Sequence, residues 1–337
     1  MKMKALGKSE VHVSKIGVGT AAWGFKLMGY GKFYQKQDLW EAYVASLDHG
    51  VNFFDTADSY ARGDSERLLG EFREKDGRMA VIATKHNPKA DKRPEDIIKA
   101  IEASLERLKT EAIDLYQLHY PPKDQDLEQY AELLADAYAH GLIRAIGVSN
   151  FNLERTAAFH QFLQKRGLFL SANQVYYHLL ERRIERSGLI DYCEQERISI
   201  IPLSPMAQGV LTGKYQSGDK KLSLQQKVYL WIQQLDLFHE GTQGLPLWRR
   251  LMRMPEAAKI KKYDPLFQLL RETAAARETS VAQIALSWLM QASDQIIPIP
   301  GVKNRKQAVS NAGLPTIGLT QKEYDALSKM EEQLANE

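Results

Sequence analysis

Eight short, almost continuously apolar runs punctuate this chain, and longer stretches of helical period lie between them. The runs are SKIGVGT (14–20), VNFFDT (51–56), MAVIATK (79–85), AIDLYQLH (112–119), LIRAIGVS (142–149), SANQV (171–175), ISIIPLS (198–204) and QIIPIPG (295–301). A strand with one wet face alternates apolar and polar residues. A run without that alternation suits a parallel strand covered on both faces.

The intervening segments read as amphipathic helices. PEDIIKAIEASLERLK (94–109) sets Ile97, Ile98, Ile101, Leu105 and Leu108 on one stripe. LEQYAELLADAYAHG (127–141) ends on a glycine suited to a helix C-terminus, and SVAQIALSWLMQ (280–291) opens on a serine suited to an N-cap. Strand and helix alternating eight times predict an α/β fold, a (β/α)8 TIM barrel forming one domain over 1–337. The alternative, an open doubly wound sheet, needs a G-x-G-x-x-G turn after its first strand. Here that turn is GVGTAAWG (17–24), which lacks the spacing.

One stretch breaks the rhythm. Residues 214–264 follow the seventh run and carry VYLWIQQLDLF and PLWRRLMR. This is too long for an ordinary loop of a compact domain. Its aromatics and leucines predict an ordered insertion, a lid over the barrel mouth.

Composition excludes several classes of function. With 45 basic against 42 acidic residues the net charge is +3, too balanced for a nucleic-acid footprint. The single Cys193 rules out an intramolecular disulfide. The start, MKMKALGKSEVHV, lacks the pattern of a secretory signal, and no apolar run is long enough to span a membrane. A cytoplasmic protein without a membrane or nucleic-acid partner is expected. No heptad pattern argues for assembly beyond a monomer or weak oligomer.

Barrels of this kind build their sites at the C-terminal ends of the strands. Asp55 ends the second run, Lys85 the third, His119 the fourth, Ser149 and Asn150 the fifth, Gln174 the sixth and Ser204 the seventh. Tyr60 lies on the loop after the second run. Asp58, between Asp55 and Tyr60, finds no partner among the strand ends and reads as a turn or surface residue. An acid, a lysine and a histidine ending three successive strands point into one space. A phenol ionises near pH 10, and an adjacent ammonium lowers that value. A carboxylate beside the lysine keeps it charged, and a histidine can hydrogen-bond a substrate oxygen. The set suits protonation of a carbonyl. The hydride has to come from a nicotinamide cofactor, since no side chain supplies one.

Along nearly its whole length the chain resembles the aldo-keto reductase superfamily. The matching stretches are FFDTADSYARGDSERLLGEF, IATK, IDLYQLHYP, IRAIGVSNF, ANQVYY, PMAQGVLTGKY and IPIPGVKN, in the family's order. The resemblance implies that Asp55, Tyr60, Lys85 and His119 form the catalytic tetrad, with Tyr60 as general acid in reduction and general base in oxidation. It assigns Ser149, Asn150 and Gln174 to the nicotinamide carboxamide, and Gly19, Thr20 and Asp55 to the cofactor as well. The loop Ser204–Lys214, with Pro205, Met206, Gln208, Gly209, Leu211 and Lys214, is similar to the pyrophosphate and ribose loop. Gly301, Lys303, Asn304, Gln307 and Asn311 fall on the adenosine 2′-phosphate site. The basic cluster Lys303, Arg305 and Lys306 favours NADP(H) over NAD(H). Many family members stack a tyrosine on the nicotinamide from the seventh strand, where this chain has Leu203.

The substrate implied is a small aldehyde or ketone on an aromatic or extended apolar body, with pyridoxal or a sugar as alternatives. Trp23, Phe25, Tyr60, His119 and Tyr120 are the expected lining, joined by Tyr229, Trp231 or Trp248 from the insertion. The expected activity is that of an NADP-dependent alcohol oxidoreductase. Two alternatives are a slow-turnover NADP(H)-binding redox sensor of the same fold and a Schiff-base enzyme using Lys85.

Overall fold

Seven parallel strands follow one another around a curled sheet in chain order. They belong to a computed structural model that describes residues 1–88, 93–213 and 263–335. The expected lid over 214–264 thus falls outside the described residues except for Tyr263 and Asp264, as do Lys214, Tyr229, Trp231 and Trp248. A short hairpin of β1 (Met3–Ala5) and β2 (His12–Ser14) precedes the sheet. The sheet itself is β3 (Gly17–Gly19), β4 (Phe53–Asp55), β5 (Val81–His86), β6 (Leu115–Leu118), β7 (Ile146–Ser149), β8 (Leu170–Tyr176) and β9 (Ser199–Leu203).

The eighth run closes the ring without becoming a regular strand. Residues 295–301 bridge β9 through Ile200 and Ile296, and β3 through Gly19 and Gly301. Gly17 and Gly19 donate their N–H groups to the carbonyls of Pro298 and Pro300, at 2.8 and 3.0 Å. Neither proline has an N–H to return, so the ladder toward β3 is half made. The open doubly wound alternative is excluded, because its sheet would leave two free edges.

Around the ring run α1 (Lys36–Asp48), α2 (Asp64–Asp76), α3 (Asp96–Leu108), α4 (Leu127–Ala139) and α5 (Leu153–Lys165). They are followed by α6 (Arg183–Arg186), α7 (Leu189–Glu196), α8 (Asp264–Ala276), α9 (Val281–Gln291), α10 (Arg305–Ala312) and α11 (Gln321–Ala335). The stripe expected on α3 is the buried one: Ile97, Ile101 and Leu108 are inaccessible, and Ile98 and Leu105 pack beside them. Past α4, Gly141 takes φ +75°, a left-handed turn that favours glycine. Ser280 caps α9, accepting from Gln283 N–H, while the Gln283 side chain returns a bond in a capping box. No helix among the described residues is long and apolar enough to cross a membrane.

The period of two along each strand divides the interior into layers. At the N-terminal end, Phe53, Ala83, Leu115, Ala172, Ile201, Ile297 and Ile299 fill the barrel, and Leu6, Val11 and Val13 of the hairpin plug it. Phe54, Ile82, Tyr116 and Val148 point outward to the helices. Burying each such side chain contributes about 1.5–3 kcal/mol. Two residues beyond Phe53, Ala83, Leu115 and Ala172 come Asp55, Lys85, Gln117 and Gln174, so the next inward layer is polar and fully buried. The apolar floor thereby holds a small polar chamber under the barrel mouth.

Candidate active site

Lys85 is the hub of that chamber. Its side chain is 0% exposed, and Nζ donates to Asp55 Oδ1 and to the Thr56 carbonyl, each at 2.6 Å. Strand pairing sets this up: Asp55 faces Ala83 across β4 and β5, two residues before Lys85. Burial lowers the Lys85 pKa from its ordinary value, and the Asp55 carboxylate opposes that, followed by Asp58 and Glu66. Gln174 Nε2 donates to the other Asp55 oxygen at 2.9 Å, and Gln117 Nε2 approaches it at 3.4 Å. One carboxylate thus collects an ammonium and two amides, which fixes it in place.

Tyr60 enters from the loop after β4. Its ring centroid lies 4.9 Å from Lys85 Nζ and 5.9 Å from the His119 ring, edge-on at 81°. Burial raises its pKa well above the usual phenol value, with the charge of Asp55 and then Tyr120 adding to the effect. The expected depression by Lys85 is therefore not what the protein alone displays, because desolvation outweighs it. The phenol is therefore protonated at neutral pH.

His119 follows β6, its backbone N–H bonded to the His86 carbonyl at 2.7 Å. Its ring stacks on Tyr120 at 4.8 Å and 11°. Burial, reinforced by Lys85, brings its pKa down to about 3. The imidazole is neutral, so it can offer one N–H without a charge. Its Nδ1 is buried with no hydrogen-bond partner. A core histidine with satisfied nitrogens would not leave that atom open.

Three strand ends and one loop thus converge a carboxylate, an ammonium, a phenol and a neutral imidazole on one space. The aldo/keto reductase family model matches residues 15–332.

The chain belongs to the aldo/keto reductase family.

This aldo/keto reductase is an oxidoreductase with relatives across kingdoms. It is 32% identical over 315 residues to the chloroplastic pyridoxal reductase of Arabidopsis thaliana, covering 89% of this chain and 78% of that one. It is 30% identical over 327 residues to the aldo-keto reductase yakc [NADP(+)] of Schizosaccharomyces pombe, covering 91% and 87%. Its fold matches the crystal structure of an aldo-keto reductase from Klebsiella pneumoniae in complex with NADPH. That match has TM-score 0.70 and 26% identity, and covers 98% of this chain and 96% of that chain.

Other residues expected at the cofactor site of this aldo/keto reductase fall into two groups. Ser149 Oγ donates to the Gln174 carbonyl at 2.9 Å, and Asn150 Nδ2 to the His119 carbonyl at 2.9 Å. Asn150 sits at φ +62° and Ser204 at φ +52°, left-handed turns that end β7 and β9. Gln174 keeps Oε1 buried and unpartnered, an open acceptor beside the tetrad. Leu203 ends β9 half-buried, in register with Tyr176. The loop from Pro205 through Leu211 forms a short 3-10 turn from Ala207, with Gly209 at φ +99°; Met206 is half-buried and the Gln208 side chain is outside the described residues.

The second group lies at the start of α10. Asn304 caps the helix, accepting from Gln307 N–H at 3.0 Å, and Gln307 Oε1 accepts from Lys303 N–H at 2.7 Å. Lys303 Nζ lies 3.5 Å from the Met28 carbonyl and 5.1 Å from the Tyr34 ring centroid. Arg305, Lys306 and Gly301 are exposed and Asn311 is half-buried.

Three expectations need correction. Trp23 is 0% exposed, with its indole N–H on the Val302 carbonyl at 2.8 Å and its ring edge against Phe72. It packs between barrel and helices, whereas Phe25 and Tyr120 are half-buried. The Thr20 hydroxyl is spent inside the scaffold, 2.8 Å from both the Asp55 carbonyl and Ser65 Oγ. Asp58 is no idle turn residue, because its carboxylate accepts from His86 Nδ1 at 2.5 Å. Sequence reasoning also passed over Gln117, although it stands two residues before His119, one step along the inward face from Leu115.

Proposed function

We propose that this chain catalyses the NADP(H)-dependent reduction of an aldehyde or ketone to an alcohol, with Tyr60 as the proton donor. One observation carries the reading: Tyr60 is set between Lys85, 4.9 Å away and anchored on Asp55, and the neutral ring of His119 at 5.9 Å. When bound, NADPH supplies the hydride to the carbonyl carbon. The His119 N–H orients the carbonyl oxygen. As that oxygen gains negative charge, Tyr60 Oη transfers its proton to it, and the phenolate left behind faces the Lys85 ammonium. In oxidation the same phenolate takes the alcohol proton. Schiff-base chemistry is disfavoured, since Lys85 is fully buried and commits its protons to Asp55 and Thr56.

The residues present fit the cofactor. Gln174 Oε1 is a buried acceptor for a primary amide N–H, as a carboxamide presents. Lys303 and the exposed Arg305 and Lys306 at the capped start of α10 suit a dianionic 2′-phosphate, which favours NADP(H). Phe25 and the Tyr120 ring stacked on His119 suit a carbonyl on an aromatic body. Pyridoxal, for which the Arabidopsis relative is named, is such an aldehyde.

The test follows NADPH absorbance with 4-nitrobenzaldehyde, pyridoxal and aliphatic ketones, with Tyr60→Phe as control. Oxidation of NADPH that is lost in the variant is the expected result. An equal rate in Tyr60→Phe, or no oxidation with any of these carbonyls, overturns the reading.

A further inference from the structure

We propose that Asp58 and His86 are positioning residues for Tyr60, latching the loop that carries the phenol to the end of the strand that carries Lys85. The catalytic half of this inference rests on the proposed reduction. Asp58 grips two successive residues of β5. Its backbone N–H donates to the Lys85 carbonyl at 3.0 Å, and its Oδ2 accepts from His86 Nδ1 at 2.5 Å. Lys85 points into the barrel, so His86, the next residue, lies on the other face of the strand. The latch therefore stands on the face of β5 opposite to Lys85.

The Tyr60 loop needs such a hold. Tyr60 N–H closes a tight turn on the Ala57 carbonyl at 3.1 Å, with Asp58 inside the turn. Directly after Tyr60, Ala61 and Arg62 take φ +49° and +57°. Two consecutive side-chain-bearing residues in the left-handed region are unfavourable unless surrounding contacts hold them. The far side of the latch continues into the site. The His86 carbonyl accepts the His119 N–H at 2.7 Å, and the His119 carbonyl accepts from Asn150 at 2.9 Å. One chain of contacts thus fixes the relative placement of Tyr60, Lys85, His119 and Asn150.

The pair also acts through charge. Asp58 Oδ1 is buried without a hydrogen bond, where a plain turn residue would turn it to water. Burial lowers the pKa of both Lys85 and His119; Asp58 opposes that fall at each, together with Asp55 and Glu66 at Lys85 and against Lys85 and His86 at His119. Latch and charge separate by substitution. His86→Leu removes the latch and keeps the carboxylate. Asp58→Asn keeps an acceptor for His86 and removes the charge.

The experiment pairs hydrogen–deuterium exchange of the 53–63 segment in the cofactor-free protein with kcat, KM and the pH profile of carbonyl reduction. In His86→Leu and Asp58→Ala, the Tyr60 amide exchanges faster, and kcat falls about ten- to hundredfold while KM moves by less than about threefold. His86→Asn, whose amide can reach where Nδ1 stood, recovers part of kcat, which a general loss of stability would not allow. In Asp58→Asn the alkaline limb of kcat/KM moves to lower pH, because Lys85 loses its charge sooner. Unchanged exchange in both latch-removing variants overturns the proposal, as does faster exchange with kcat and pH profile unmoved. If the parent protein reduces no carbonyl, the proposed function fails, and exchange at Tyr60 alone decides whether the latch exists.

Discussion

The Lys85 ammonium lies 2.6 Å from the Asp55 carboxylate, and neither side chain is more than 2% exposed. Such a pair is costly to bury and costlier to break, since removing one member leaves an unpaired charge in a low-dielectric chamber. Lys85→Met should therefore lower unfolding free energy by about 3–5 kcal/mol, and Asp55→Asn together with Lys85→Met should cost less than Lys85→Met alone. Urea unfolding of the two single variants and the double variant measures this. Strict additivity would mean that the two groups do not act as a pair.

His119 and His178 are both brought down by burial from 6.5 to about 3. Both are neutral in the folded protein, while the unfolded chain takes up protons below about 6.5. The stability these two groups contribute is thus fully present above pH 6.5 and is lost as pH falls from there toward 3. The direct measurement is a proton NMR titration of the imidazole resonances, in which the His119 signal should not move between about pH 5 and 8. A midpoint near the ordinary histidine value would remove the neutral N–H from the proposed chemistry.

How far the site could be read from sequence depended on which direction a residue faces. Asp55, Lys85 and His119 were legible because each ends an apolar run, and strands of one barrel end on one face. The eighth run was legible as a stave but not as a bridge, since its two prolines remove donors without altering its apolar character. Trp23 misled because a tryptophan near a strand end has the chemistry of a pocket wall, and only three-dimensional packing turns it toward Phe72. Asp58 was passed over because its partner is the residue after Lys85, on the outward face, where a search of inward strand ends does not look.

Gly19 limits how the barrel can close. A Cβ at this position would lie 2.6 Å from the Ile299 carbonyl oxygen, an approach that real Cβ atoms do not make. All three nearest atoms are backbone of Ile299 and Gly301, which leaves nothing flexible to yield. Gly19→Ala should destabilise the protein by about 1–3 kcal/mol. At Gly301, across the same seam, the nearest atom to an added Cβ is 4.0 Å away. Gly301→Ala should change stability by no more than about 0.5 kcal/mol. Equal unfolding midpoints for the two variants would contradict the tight-seam account.

Leu203 ends β9 half-buried, opposite Tyr176 of β8 and above the inward layer that holds Gln174. Under the proposed function this side chain packs against the nicotinamide ring, where many family members place a tyrosine. An aliphatic group gives contact area but not the aromatic stacking contribution, which is on the order of 1 kcal/mol. Leu203→Tyr should then lower the NADPH dissociation constant about fivefold. The gain should vanish for adenosine 2′,5′-bisphosphate, which lacks the nicotinamide and reports on the α10 end of the site alone. Fluorescence titration with both ligands makes the comparison internal to one variant. Tighter binding of both would trace the effect to a general change in the pocket, and unchanged or weaker NADPH binding would remove Leu203 from the ring face.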